Sequence, residues 1–228
     1  MSYVFQFGVV TDHIGELLLG AWLTIQLTAA SMAAGLAIGI LGALAKTARA
    51  APLRWVVEVY VEAIRNTPFL VQLLFVFLGL PTLGIRLDAD TAAFLAMSVN
   101  VGAYAVEIVR AGIEAVPKGQ IEAGIALGLG RFQIFRHIVL VPALHTVYPA
   151  LTSQFVFMLL SSSLVSQISA HDLTYAANIL QSTTYRSFEI YFAVTIMYLM
   201  LAWGFRAAFE AIHGIAFRFA RAGGRRVT

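Results

Sequence analysis

Pro117–Pro142 reads PKGQIEAGIALGLGRFQIFRHIVLVP. Long apolar runs flank it on both sides, whereas this stretch carries Lys118, Glu122, Arg131 and Arg136 among small and aromatic residues. Charge at that density is expelled from hydrocarbon, so the segment belongs in water. Gln120 to Leu127 is good helix-forming sequence, Gly128 and Gly130 interrupt it, and Arg131 to Ile138 resumes a helical spacing. Two short helices meeting at a glycine corner are expected. Ile121 and Ile125, four apart, would line one face of the first helix, and Phe132 with Phe135 one face of the second. A solvated connection has no reason of its own to keep an apolar face, so a protein partner is expected to bury it.

The surroundings decide the class. Of 228 residues, 60% are hydrophobic and only 12% charged, which marks an integral membrane protein rather than a soluble domain. Cysteine is absent, which removes disulfides, thiolate nucleophiles and cysteine metal sites. No basic stripe is interleaved with exposed aromatics, so nothing points to nucleic acid. Met1 to Gly15 has no Lys or Arg and lacks the basic start of a cleaved signal.

A helix crosses the bilayer with about 20 mostly apolar residues. Five such stretches are expected, at about 17–45, 56–80, 91–113, 138–160 and 188–208, within a single transmembrane domain over 1–228. The fold class is therefore all-α and polytopic. Lys46, Arg49 and Arg54 around Pro52 mark the first connection. Glu58, Glu62 and Arg65 fall on one helical face at the start of the second stretch, and Thr67–Pro68 is expected to break or bend it. Pro149 is expected to kink the fourth. Ser161 to Arg186 is polar and turn-like, with room for a short helix at Leu173 to Leu180. Of the fifteen Lys and Arg, all but Arg86 and Arg186 lie in or beside the Lys46 region, the central loop and the C-terminal end. Positive residues mark the cytoplasmic side, which puts the N-terminus outside and the 117–137 loop and C-terminus inside.

The central run resembles the cytoplasmic EAA loop of ABC-transporter permeases: Glu-Ala-Ala, three residues, Gly, nine residues, Ile, one residue, Leu-Pro. Glu122, Ala123, Gly128, Ile138 and Leu140 fall on that spacing. Gly124 replaces the second Ala, which would loosen the helix, and Val141 precedes a Pro142 that comes one residue late. Val61–Leu74, VEAIRNTPFLVQLL, is similar to the Arg-Gly-Thr-Pro-Leu-Leu-Val-Gln pattern of polar amino-acid and opine permeases, with Asn66 for Gly and Phe69 for Leu. Asn100–Gly119 is similar to that family's Ala-Tyr-x-x-Glu-x-x-Arg-Gly run, with Ala111 for Gly, and Ser163–Ala176 to its Ser-Leu-Val and Asp-Leu-Thr segments. Leu160 stands where many relatives carry Lys, compatible with either unequal duties in a mixed permease pair or neutral drift.

The resemblance implies a type I ABC importer permease of a bacterial inner membrane. A periplasmic binding protein would deliver a polar amino acid, two permease subunits, identical or homologous, would form the path, and a cytoplasmic ATPase dimer would close on ATP. This chain has no Gly-x4-Gly-Lys-Ser/Thr phosphate loop, so no cofactor is expected on it and ATP-Mg belongs to the ATPase. The resemblance assigns Glu122, Ala123, Ile125 and Gly128 to the ATPase contact. An amino-acid zwitterion needs an acceptor for its ammonium and donors for its carboxylate, so Arg65, Asn66, Gln72, Asn100, Glu107, Ser163 and Gln167 are the candidates for the path or gate. Glu107 and the Glu62–Arg65 pair fit a structural ion pair equally well, with Arg110, Arg65 or the backbone as partners for Glu107. His145 fits a packed residue, and no spacing suits a metal. An opine or amino-acid derivative is the alternative cargo, and an ion-coupled secondary carrier a more distant reading, which would leave the EAA spacing unexplained.

Overall fold

The computed structural model describes residues 4–47 and 50–216, and the regular structure among them is helical. Arg49 and the basic run from Arg218 lie outside the described residues. Helix α1 covers Gly8–Asp12 and α2 Ile14–Thr47, both in the N-terminal quarter. Next come α3, Ala51–Arg65, and α4, Phe69–Leu74, which runs on through a π turn, Phe75–Gly79, and a 3-10 turn, Leu80–Leu83. Helix α5 is Ala89–Glu114, capped by Asp88, whose carboxylate accepts the Thr91 N–H at 3.0 Å. Helices α6, Lys118–Ala126, and α7, Arg131–Ile134, follow. A π turn, Phe135–Val139, then leads into α8, Leu140–Ser161, and a 3-10 turn, Ser162–Ile168. Helices α9, Leu173–Thr184, and α10, Ser187–Ala216, complete the order.

Four of these rods are long and apolar enough to cross a bilayer: 14–47, 89–114, 131–168 and 187–215. The bent pair 51–65 and 69–83 makes a fifth. Large apolar side chains, Trp22, Leu41, Phe75, Phe157 and Trp203 among them, point outward, as a lipid-solvated bundle requires. Between α2 and α5 the packing is closest. Gly39 lies directly against Ala105, and a methyl placed on it would overlap the Ala105 methyl and come within 2.9 Å of the Ala105 carbonyl carbon. Small residues let helix backbones touch where hydrocarbon supplies no hydrophobic drive.

Two boundaries are corrected. The second stretch starts at Ala51 rather than 56, and at the break expected at Thr67–Pro68 it ends its first helix at Arg65 and turns by 110° into α4. Pro68 has no N–H to continue the ladder and pushes Thr67 out of helical backbone, which sets the break at this point. The fourth rod does not begin at 138. It runs from Arg131 to Ile168, because α7 passes straight through the Phe135–Val139 π turn into α8. Pro142 lacks the N–H that would bond Ile138, and the wider turn just before it accommodates that loss. Pro149 lies inside α8.

Helix α9 is four residues longer than expected and sits on α2, with the Leu173 N–H donating to Thr24 Oγ1 at 3.0 Å. Asp172 caps it, accepting the Tyr175 N–H at 2.7 Å and the Tyr198 hydroxyl at 3.0 Å. Burial pushes the Asp172 carboxyl up to about 6, above its ordinary 3.8. A raised folded-state value favours folding below the unfolded value, and that contribution is lost as pH rises through the folded one. The parent protein is therefore expected to lose about 1 kcal/mol between pH 5 and 7.5 from this group, at 1.36 kcal/mol per pKa unit. Asp172→Asn keeps an acceptor for Tyr175 but cannot ionise. Thermal unfolding of the two at both pH values should show the parent alone losing stability by this route.

Candidate functional site

The 117–137 loop ends its first helix in a tight corner. The Leu129 N–H reaches back to the Gly124 carbonyl at 3.1 Å and the Gly128 N–H to the Ile125 carbonyl at 2.9 Å, a Schellman closure. Gly128 takes φ +75, a left-handed conformation costly to any residue with a Cβ. The next helix starts at once, with Gln133 Oε1 accepting the Gly130 N–H at 2.9 Å. Val116, Ile134, Val139 and Ala143 form a small core beneath, joined by Ile121, Leu129 and Ile138. Here α6 is clamped to the ends of both α5 and α8.

Glu122, Ala123, Ile125 and Gly128 are all exposed on the outer side of that clamp. Ile121 is not: it turns inward, so the expected Ile121–Ile125 face divides between core and surface. Phe135 likewise leans toward an apolar recess of about 220 Å³ beside Ile40 and Leu140, leaving Phe132 outermost at 72% exposure. Leu127, 79% exposed, joins Ile125 and Phe132 in the uncovered apolar patch. It was missed because it is the last residue before the corner, where helical periodicity no longer predicts a face. Gly124 does not loosen the helix, because it makes room for a buried contact: a Cβ there would meet Ile138 Cδ1 at 2.6 Å.

A second constellation lies between the end of α2, α3 and the later half of α5. Lys46, Arg54, Glu58, Glu62, Arg65, Glu107 and Arg110 line an open cleft of about 460 Å³. Glu107 accepts from Lys46 at 2.7 Å and from Arg110 at 2.7 Å, and Arg110 also reaches Glu114 at 2.6 Å. Lys46, 61 positions away, is a partner that sequence reasoning did not name. Glu62 and Arg65 do not pair with each other. Asn66 Nδ2 donates to Glu62 Oε2 at 2.7 Å, and the Arg65 guanidinium lies over the Tyr104 ring, 5.4 Å from its centre. Glu107→Gln strands Lys46, whose side chain like that of Glu107 is about four-fifths buried, while Arg110 keeps Glu114. It should cost about 2 kcal/mol, between an exposed and a fully buried pair. The double change Lys46→Met with Glu107→Leu should recover most of it in a thermal melt.

The corner between α3 and α4 binds its own loose ends. Gln72 Nε2 donates to the Ile64 carbonyl at 2.8 Å, the Thr67 carbonyl at 3.0 Å and Thr67 Oγ1 at 2.9 Å. Its Oε1 accepts from the buried Asn100 amide at 2.9 Å. Of the path candidates Arg65 and Glu107 line the cleft, Asn66 is tied to it through Glu62, and Gln72 and Asn100 pair with each other at the corner. Ser163 and Gln167 do not line the cleft: they sit on the 3-10 turn after α8, where Ser163 donates to the Leu160 carbonyl at 2.8 Å and Gln167 is exposed.

A family profile described as binding-protein-dependent transport system inner membrane component matches residues 35–214, which span the cleft, the corner and the loop. The chain belongs to this permease family. It is 42% identical over 154 residues to the L-cystine transport system permease protein TcyB of Bacillus subtilis, covering 68% of this chain and 66% of that one. With the glutamine transport system permease protein GlnP of Escherichia coli it shares 34% identity over 199 residues, 86% and 91% of the two chains. A crystal structure of an amino acid ABC transporter with histidines superposes with TM-score 0.88 at 35% identity over 92% of this permease and 99% of that chain. The MetNI methionine transporter, at TM-score 0.74 and 22% identity, shares the type I importer fold.

Proposed function

We propose that this permease is the non-catalytic membrane subunit of an ATP-driven bacterial inner-membrane importer for a polar amino acid. The carrying observation is the uncovered corner of Ile125, Leu127, Gly128 and Phe132, held rigidly to α5 and α8 by a buried clamp. Such an arrangement passes a push on the loop directly into two spanning rods. An ATPase dimer, binding ATP-Mg, is the partner that covers it, on the cytoplasmic side. Delivery by a periplasmic binding protein and pairing with a second permease subunit complete the assembly.

Support for the cargo comes from the relatives, whose names specify cystine, glutamine and arginine. The cleft chemistry agrees: Glu58 and Glu62 suit an ammonium, and Arg54 and Arg65 a carboxylate. Reconstitution with the neighbouring ATPase, permease and binding-protein genes tests the proposal by ATP hydrolysis across the twenty amino acids. Stimulation by a few polar ones supports it. A complex that forms but answers to none moves the cargo to an opine or derivative, and failure to bind any ATPase overturns the proposal.

A further inference from the structure

The apolar recess beside the 117–137 loop has the shape of a groove. Its floor is α5, at Val109 and Ile113. One wall is α2 from Leu36 to Leu44, the other is α8 from Leu140 to Leu151, and Phe135 stands at the end nearest the loop. Every side chain that lines it is apolar. At 1.5 Å per residue the two walls are about 12–16 Å long. That is the depth of one leaflet, half of a hydrocarbon core about 30 Å thick. The 220 Å³ spread over this length leaves a section of about 15 Å². A helix, about 10–12 Å across with its side chains, does not fit. Water is excluded as well, since an apolar cavity of about 150 Å³ stays dry and takes hydrocarbon instead. Ile40, Leu44 and Leu144 on the rim are about half exposed, so the groove opens to its surroundings.

The loop end carries charge. Arg136 lies one turn before Leu140 on the same stripe, is exposed, and forms no ion pair among the described residues. We infer that the groove holds one acyl chain of a phospholipid from the leaflet that borders the loop, with the lipid's phosphate at Arg136. A chain seated here meets protein on three sides, and those summed contacts separate a bound lipid from one that merely borders the bundle. Ile113 and Ala143 line the groove and also pack the core beneath the loop. A seated chain therefore bears on the clamp that holds α6 to α5 and α8. The inference goes beyond the importer reading and needs only a chain that spans a bilayer.

Photo-labelling tests it. The full-length permease is reconstituted in phosphatidylcholine vesicles with a trace of phosphatidylglycerol that carries a diazirine midway along one chain. After illumination the adducts are mapped by mass spectrometry. They should concentrate severalfold on Ile40, Leu44 and Leu144 relative to Leu41, which is exposed at the same depth of α2 but does not line the groove. Ile40→Trp with Leu144→Trp fills the groove from its rim and should remove the excess; Leu144→Ala leaves it open and should keep it. Arg136→Gln should keep the parent melting temperature and lose the preference for phosphatidylglycerol over a diacylglycerol with the same diazirine chain. Equal labelling of Ile40 and Leu41 in the parent means bordering lipid only and overturns the inference, even where the filled variant does not fold. Unchanged labelling of a folded double Trp variant overturns it too. An Arg136→Gln permease that still prefers the phospholipid overturns the phosphate contact. None of these readings needs ATP or a cargo, so a failure of the importer reading leaves them standing.

Discussion

Gly39→Leu is expected to yield almost no folded permease from membranes. The seam between α2 and α5 has no space at that position: even one added carbon would overlap Ala105 and press on its backbone. A backbone cannot rotate out of the way as a side chain can, so the helices must separate along their closest contact. Overpacking a well-filled site costs about 1–3 kcal/mol, and here the upper value or more applies, against a total stability of about 5–15 kcal/mol. At Gly15, on the same helix, an added Cβ meets no atom within 4 Å, so the same substitution starts into open space there. It should stay within about 0.5 kcal/mol of the parent. Yield and detergent melting temperature for the two would separate packing from helix propensity; equal behaviour would refute the seam.

Leu127→Asp should stop transport with the fold intact. The side chain is 79% exposed and supports nothing within the chain, so membrane level and melting temperature should match the parent. A carboxylate in the middle of an apolar docking patch should nevertheless release the ATPase, with a loss of transport of at least tenfold. Phe132→Asp should do the same and Leu127→Met should not. Gly128→Val is a different lesion: nothing stands within 4 Å of it, and its cost, about 1–2 kcal/mol, comes from forcing a left-handed backbone on a branched residue. It should keep partial ATPase binding while hydrolysis and transport come apart. Co-purification with the ATPase and uptake in vesicles would read both; normal uptake by Leu127→Asp would remove the patch from the coupling contact.

Local features were legible in the sequence and juxtapositions were not. Gly128 and Gly130 announced the corner, because glycine punctuation acts over a few residues. Thr67–Pro68 announced the bend, but its 110° depends on Gln72 reaching back to Ile64 and Thr67. Arg131 to Ile138 read as a separate short helix outside the fourth span because it is charged, yet helical hydrogen bonding takes no notice of where water ends. Lys46 and Glu107 meet because α2 and α5 cross tightly at Gly39, a fact about two faces that neither strand of sequence carries alone. Gly124 looked like a weakness in its own helix and is a socket for another.

The Gln72 amide ties the Ile64 carbonyl at the end of α3 and Thr67 in the elbow to the first turns of α4. Opening the angle would have to break these bonds together. Held this way, the elbow acts as a bracket rather than a joint.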